Sequence, residues 1–220
     1  MLGRVLEPEV MDSAAEAHDY DAMDHSGVNR LFVADFLKVW NGQGPILDVG
    51  TGTAQIPIEF CRQSAVGEII AIDLAEHMLA LGRENVRKAS FDKRIRIEKI
   101  NGRQMPYGDG SFAAIMSNSI VHHIPEPKHV FAEMVRVAAP GATLFVRDLL
   151  RPRDADMLQR LVQMYAGNDN EHQRRMFAES LHAALTLFEV QGLVAVHGFD
   201  TATVQQTSDR HWTWSAAKRN

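Results

Sequence analysis

Residues 45–55, P-I-L-D-V-G-T-G-T-A-Q, constrain this chain more than any other stretch. Pro45 to Val49 is a short apolar run closed by glycine, the pattern of a buried strand. Gly50 and Gly52 permit a tight turn and let a ligand come close to the backbone. An amphipathic stretch follows from Ala54, with Ala54, Ile58, Cys61 and Ala65 on one helical face. Strand, glycine turn and helix open a nucleotide-type α/β fold.

The flanking sequence extends that unit. Residues 8–20 and 28–40 read as two helices that precede the first strand and are placed to cover a ligand. After the glycine turn, residues 68–72 form a second strand with Asp73 at its C-terminal end, and residues 75–89 a helix. Ile95, Ile97 and Ile100 mark a third strand, followed by a turn-rich loop over 101–110. A fourth strand over 112–117, a helix over 127–138, and a Pro140-Gly141 turn into a fifth strand over 142–148 come next. Residues 151–185 are helical with a break at Gly167-Asn168-Asp169, and Thr186-Leu187-Phe188-Glu189 is a capping box for a further helix. Two β-like runs, 203–207 and 211–215, make an antiparallel hairpin.

Bulk properties narrow the partners. A net charge of −5 argues against a nucleic-acid partner, since such proteins carry a basic face. Cys61, the sole cysteine, excludes an intramolecular disulfide and a cysteine metal cluster. Acidic residues Glu7, Glu9 and Asp12 interrupt any signal-like apolar core, and no run reaches the ~18 apolar residues of a membrane span, so the expected location is cytoplasmic.

Four segments in this order and spacing carry a resemblance: Leu47-Asp48-Val49-Gly50-Thr51-Gly52-Thr53, Ala71-Ile72-Asp73-Leu74, Met105 to Phe112 (M-P-Y-G-D-G-S-F), and Ser119 to Pro125 (S-I-V-H-H-I-P). From about Asn29 onward the chain resembles the class I S-adenosylmethionine-dependent methyltransferases, closest in feel to the small-molecule enzymes of the ubiquinone/menaquinone-biosynthesis type. The resemblance implies a Rossmann-like seven-stranded α/β sheet, mostly parallel with an antiparallel C-terminal hairpin, helices on both faces and an N-terminal helical extension. It implies one methyltransferase domain over 1–220: an extension or lid (1–41), a cofactor-binding core (42–150), a candidate substrate cap (151–185), and the last helix and hairpin (186–220).

It further implies S-adenosyl-L-methionine as cofactor and methyl transfer to a small-molecule acceptor. Gly50 and Gly52 would line the methionine moiety, flanked by Thr51 and Gln55, with Asp48 facing its cationic amino group. Asp73 would accept hydrogen bonds from the ribose hydroxyls, and Leu74 and Met78 would bracket the adenine. Asn101 stands where the family usually has an aspartate for the adenine amino group, a role its amide oxygen can fill. Gly102 and Arg103 would offer backbone donors, Ser117 and Asn118 would meet the methionine end, and Tyr20 would close over the cofactor.

Catalysis is less constrained, because in-line displacement at a sulfonium carbon draws much of its rate from positioning. His122 and His123 follow the fourth strand on the acceptor side, and Asp148 closes the fifth strand. Each has a structural alternative: the histidines shape the loop, and Asp148 pairs with Arg147, Arg151 or Arg153. No metal ligand is assigned, and the oligomeric state is open between monomer and homodimer. Two other functions are weighed. An NAD(P)-dependent oxidoreductase also suits Asp73, but Gln55 breaks the G-x-G-x-x-G fingerprint. A catalytically inactive adenosylmethionine-binding partner protein would share every cofactor residue.

Overall fold

In the computed structural model, residues 2–7 and 13–219 are described. Part of the expected first helix, residues 8–12, lies outside them. Its remainder begins at Ser13, whose hydroxyl accepts the Glu16 N–H while Glu16 accepts the Ser13 N–H, and this capping box starts α1 (Ala14–Ala22). In α2 (Ser26–Val39) the helical spacing of Asn29, Phe32, Val33 and Phe36 buries one face.

All four residues of β1 (Ile46–Val49) are buried. Gly50 and Gly52 follow with φ of 78° and 53°, and Ala54 shares that left-handed region at 63°. Because Ala54 is left-handed it stands outside α3 (Gln55–Gln63), and Pro57 falls in the first turn, where it costs no hydrogen bond. Ile56, Ile58, Phe60 and Cys61 are buried, whereas Ala65 lies past the helix end and is exposed. The chain continues through β2 (Ile69–Asp73), α4 (Glu76–Lys88), β3 (Ile95–Lys99), β4 (Phe112–Asn118) and a first 3-10 turn (Val121–His123), a second standing at Thr201–Thr203. It then runs through α5 (Lys128–Val137), β5 (Ala138–Leu149), α6 (Ala155–Ala166), α7 (Glu171–Ala183), α8 (Leu187–Ala195), β6 (Val204–Gln206) and β7 (His211–Ala217).

β5 corrects the expected turn at Pro140-Gly141. The strand leaves α5 directly at Ala138, because Gly141 donates its N–H to Lys218 and Lys218 donates back to Ala142. Gly141 supplies the positive φ of 78° that this exchange needs, and Pro140 is exposed.

The seven strands form one sheet in the order β3-β2-β1-β4-β5-β7-β6. β1 runs parallel to both β2 and β4, β2 runs parallel to β3, and β6 pairs antiparallel with β7. Because β1 is flanked in space by β2 on one side and β4 on the other, the order reverses there, and the C-terminal ends of β1 and β4 mark the crevice position where open α/β sheets bind their ligands.

The chain divides into two compact units. One comprises residues 10–118, 128–146 and 215–220. Its core joins Phe32 and Phe36 of α2, Phe60 of α3, Ile46, Ile69 and Phe145. The other comprises residues 1–9, 119–127 and 147–214, where Leu149, Leu158, Leu161, Leu181 and Ala184 pack together with Leu2 against them. Trp212 and Trp214 of β7 are fully buried in it, Trp214 edge-on to Phe199.

Candidate functional site

The first unit places the crevice residues. Asp73 ends β2 with its carboxylate turned onto three backbone amides: Oδ2 accepts from Gly52 at 2.9 Å, and Oδ1 from Leu74 at 2.7 Å and Ala75 at 3.0 Å. One carboxylate therefore ties the glycine turn to the start of α4. Gly50 and Thr51 both donate to the Ile72 carbonyl at 2.9 Å, which pins the same turn to β2. Tyr20 of α1 lies over it, so that a Cβ on Gly52 would stand 3.8 Å from the Tyr20 ring. Met78 is buried with Ala17 and Ala75, with Tyr20 and Leu81 packed beside them, and Leu74 is half-buried.

Asp48 is buried at the penultimate position of β1, and its Oδ2 has no hydrogen-bond partner. Burial pushes its carboxyl up to about 7, against the pull of the Thr51 hydroxyl and with the charge of Asp73 adding to the rise. Burial and then the charges of Asp73, Asp21 and Asp48 push the Tyr20 phenol up to about 12.

The remaining crevice residues occupy themselves differently. Ser117 donates to the Val49 carbonyl at 2.7 Å, lacing β4 to β1 at their ends, and Asn118 is half-buried after it. Asn101 accepts the Arg103 N–H at 2.9 Å and so closes its own turn. A Cβ on Gly102 would meet Val49 at 3.2 Å and Val130 at 3.3 Å, so this position sits tight against β1 and α5. Gln55 follows the glycine turn as the first residue of α3. Its amide oxygen accepts from Asn29 at 3.1 Å and its amide nitrogen reaches Asp21 at 3.2 Å, so it braces α3 against α1 and α2.

These residues fit adenosylmethionine by their chemistry. Asp48 carries an unpartnered, buried carboxylate oxygen that suits a cationic amine, and Asp73 is an anionic acceptor suited to paired hydroxyls.

A second group of side chains gathers in the other unit. His122 Nδ1 lies 2.5 Å from Asp148 Oδ1, while Asp148 also accepts the backbone N–H groups of Val121, His122 and Leu149. Of the arginines expected to pair with Asp148, Arg151 binds Glu189 at 2.7 Å, Arg153 binds Asp154 at 3.1 Å, and Arg147 donates to Thr213 at 2.9 Å. Glu7 completes the group, with Oε1 at 3.2 Å from His123 Nδ1 and 3.5 Å from His122 Nε2. Residues 2–7 form a strap held by Leu2 N–H to Arg153, Val5 N–H to His182, and the Arg4 guanidinium on the carbonyls of His122, Ile124, Pro125 and Ala183.

Electrostatics separate the two histidines. Burial opposes a charge on His122, but Asp148 and Glu7 outweigh it and raise the imidazole pKa. Burial and the neighbouring His122 push His123 down to about 3, which keeps it neutral. Burial raises the Glu7 carboxyl. Sequence reasoning missed Glu7 and Arg4, since no local pattern links the strap to a loop more than a hundred residues away.

Residues 47–146 match the methyltransferase domain family. The matched segment, a little under half of the chain, is thus similar to a methyltransferase domain. The chain is 30% identical over 142 residues to the demethylmenaquinone methyltransferase of Porphyromonas gingivalis, covering 62% of this chain and 58% of that protein. It is 28% identical over 142 residues to a ubiquinone/menaquinone biosynthesis C-methyltransferase of Geobacter sulfurreducens, covering 63% and 55%. Against the protein of that name from Yersinia pestis it is 28% identical over 212 residues, covering 89% and 83%. The chain thus spans little more than half the length of the first two relatives. Among solved structures, an adenosylmethionine-dependent methyltransferase from Aquifex aeolicus superposes with a TM-score of 0.68 at 20% identity, covering 93% of this chain and 98% of that one. The [4+2]-cyclase SpnF superposes with a TM-score of 0.61 at 16% identity, covering 99% and 89%, so the chain shares its fold with a structure named for a different reaction.

Proposed function

We propose that this domain transfers the methyl group of S-adenosylmethionine to a small-molecule acceptor, with quinol precursors the first class to try. The observation that carries the reading is Asp73 at the C-terminal end of β2, next to the strand where the sheet order reverses, with its carboxylate tied to the glycine turn. Bound adenosylmethionine supplies an electrophilic methyl on a sulfonium. In this reading the residues of the chain bind and orient it: Asp73 receives the ribose hydroxyls, and Asp48 faces the amino group. The Gly50–Gly52 backbone, Ser117 and Asn118 border the methionine end. Leu74 and Met78 flank the adenine, Asn101, Gly102 and Arg103 border its edge, and Tyr20 covers the site. Gln55 acts as a brace, given its bonds to Asn29 and Asp21.

On the acceptor side we assign His122 and His123, with Asp148 as a positioning residue. The Asp148 contact puts the proton of neutral His122 on Nδ1 and leaves the Nε2 lone pair available. The relatives named for demethylmenaquinone methylation and for ubiquinone/menaquinone biosynthesis support an acceptor of the quinone-precursor class, and the −5 net charge suits a small molecule better than a nucleic acid. The test is incubation of the purified chain with methyl-labelled donor and, in parallel, demethylmenaquinol, ubiquinol precursors and a metabolite extract. Label in a quinol or another small product supports the reading. Donor that binds with no label transferred from any pool favours a non-catalytic adenosylmethionine-binding protein, and NADH binding without donor binding overturns the cofactor.

A further inference from the structure

We propose that Glu7, His122 and His123 form a site for a divalent transition-metal ion of the zinc class. Each residue offers one ligand atom, and the three atoms lie within 4.8 Å of one another. Two of the separations involve the Glu7 carboxylate oxygen: 3.5 Å to His122 Nε2 and 3.2 Å to His123 Nδ1. Ligands bound tetrahedrally at ~2.0–2.1 Å stand about 3.3–3.4 Å apart, so a single ion fits between these atoms with little movement.

Unmet hydrogen bonding points the same way. Glu7 Oε1 and His123 Nδ1 are both shielded from solvent, and neither has a hydrogen-bond partner among the described residues although they are 3.2 Å apart. They are near each other but not aligned on each other. Two buried polar atoms left so would cost the fold their full desolvation, and a shared cation relieves both.

The supporting shell is also in place. Asp148 holds Nδ1 of His122, the carboxylate–histidine arrangement that turns the other ring nitrogen toward a metal. Ser180 donates to Glu7 Oε2 at 3.3 Å, which leaves Oε1 facing the histidines. Arg4 fixes the carbonyl of His122 and those of the next residues, so the strap delivers Glu7 to the turn that presents both rings, whose centroids are 4.1 Å apart. Two imidazoles and one carboxylate suit zinc and its first-row neighbours, while calcium and magnesium favour oxygen ligands. Three protein ligands leave a coordination position open for water or for an oxygen or nitrogen of a small molecule. Binding releases whatever proton the ligand nitrogens carry to solvent.

The site is tested on the full chain after chelation and dialysis, by calorimetric titration with Zn2+, by metal analysis, and by the visible spectrum with Co2+. One ion per chain is expected, with a tetrahedral-type Co2+ spectrum. Asp148→Asn should weaken Zn2+ binding about 10–100-fold, and Glu7→Gln and His123→Ala should weaken it more. His172→Ala, at an exposed histidine on α7, should leave it unchanged. Circular dichroism identifies the folded variants, and Glu7→Gln retains a partner for Ser180 should His123→Ala fail to fold. No stoichiometric binding to the folded chain overturns the site, as does undiminished binding to folded Glu7→Gln. Neither donor nor acceptor is present in these measurements, so the metal site stands or falls apart from the methyl-transfer reading.

Discussion

Asp73 and Asp48 sit at the ends of adjacent strands, yet their surroundings give them opposite characters. Asp73 is surrounded by backbone donors, which favour its ionised form, whereas Asp48 is buried with an oxygen unpartnered. Asp73→Asn should therefore weaken adenosylmethionine binding by about 1–3 kcal/mol, the scale of losing charge-assisted hydrogen bonds, as read by calorimetry. Unchanged affinity in the folded variant would place the ribose elsewhere. Asp48 gives a pH signature. With its folded pKa raised to about 7, its contribution to stability is fully present below the unfolded carboxylate value near 3.8 and is lost as pH rises through about 7. Asp48→Asn, which cannot ionise, should gain on the wild type across that window when urea midpoints are compared from pH 4 to 8. A difference that stays flat with pH would mean that Asp48 is already ionised in the fold.

At the level of elements, side chains close several helix ends. Thr186 accepts the Glu189 N–H and receives the Glu189 carboxylate on its own N–H and hydroxyl, and Glu189 also pairs with the buried Arg151. Thr186→Ala should cost about 1 kcal/mol and lower the thermal midpoint by about 2–4 °C in a scanning measurement. This box was legible in the sequence because all its parts lie within four residues. The parallel strands and Asp73 were legible for the same reason: apolar runs ended by turn residues are local signals. The start of β5 was not, since the Pro140-Gly141 turn signal is overruled by pairing with Lys218, far along the chain. The bonds of Gln55 were not legible either, because its position beside the turn says nothing of Asn29 and Asp21 on the preceding helices. Glu7 lay further still from any pattern. Its role rests on a strap whose anchor points are known only after folding.

For the whole molecule, the two compact units divide the proposed ligands between them. The crevice residues Asp48, Gly52 and Asp73 belong to one, and Glu7, His122, His123 and Asp148 to the other. Hydrogen exchange should register that division: adenosylmethionine should slow exchange in peptides covering 47–55 and 69–79, and Zn2+ in those covering 2–7 and 119–127. Protection of the same peptides by both ligands would count against separate sites. The strap also carries a consequence for how the chain acquires its structure. Arg4 bonds to residues 118 to 179 positions away, and Ser180 reaches Glu7 across 173. Contacts of such sequence separation are slow to form, since the loop between them must close before they repay its entropy. Docking of residues 2–7 is then a late event in folding, following the local strand–helix units around β1. During synthesis, Glu7 meets Ser180 only after the 173 positions that separate them have been made, so the carboxylate of the proposed metal site is set in place after the rings that share it.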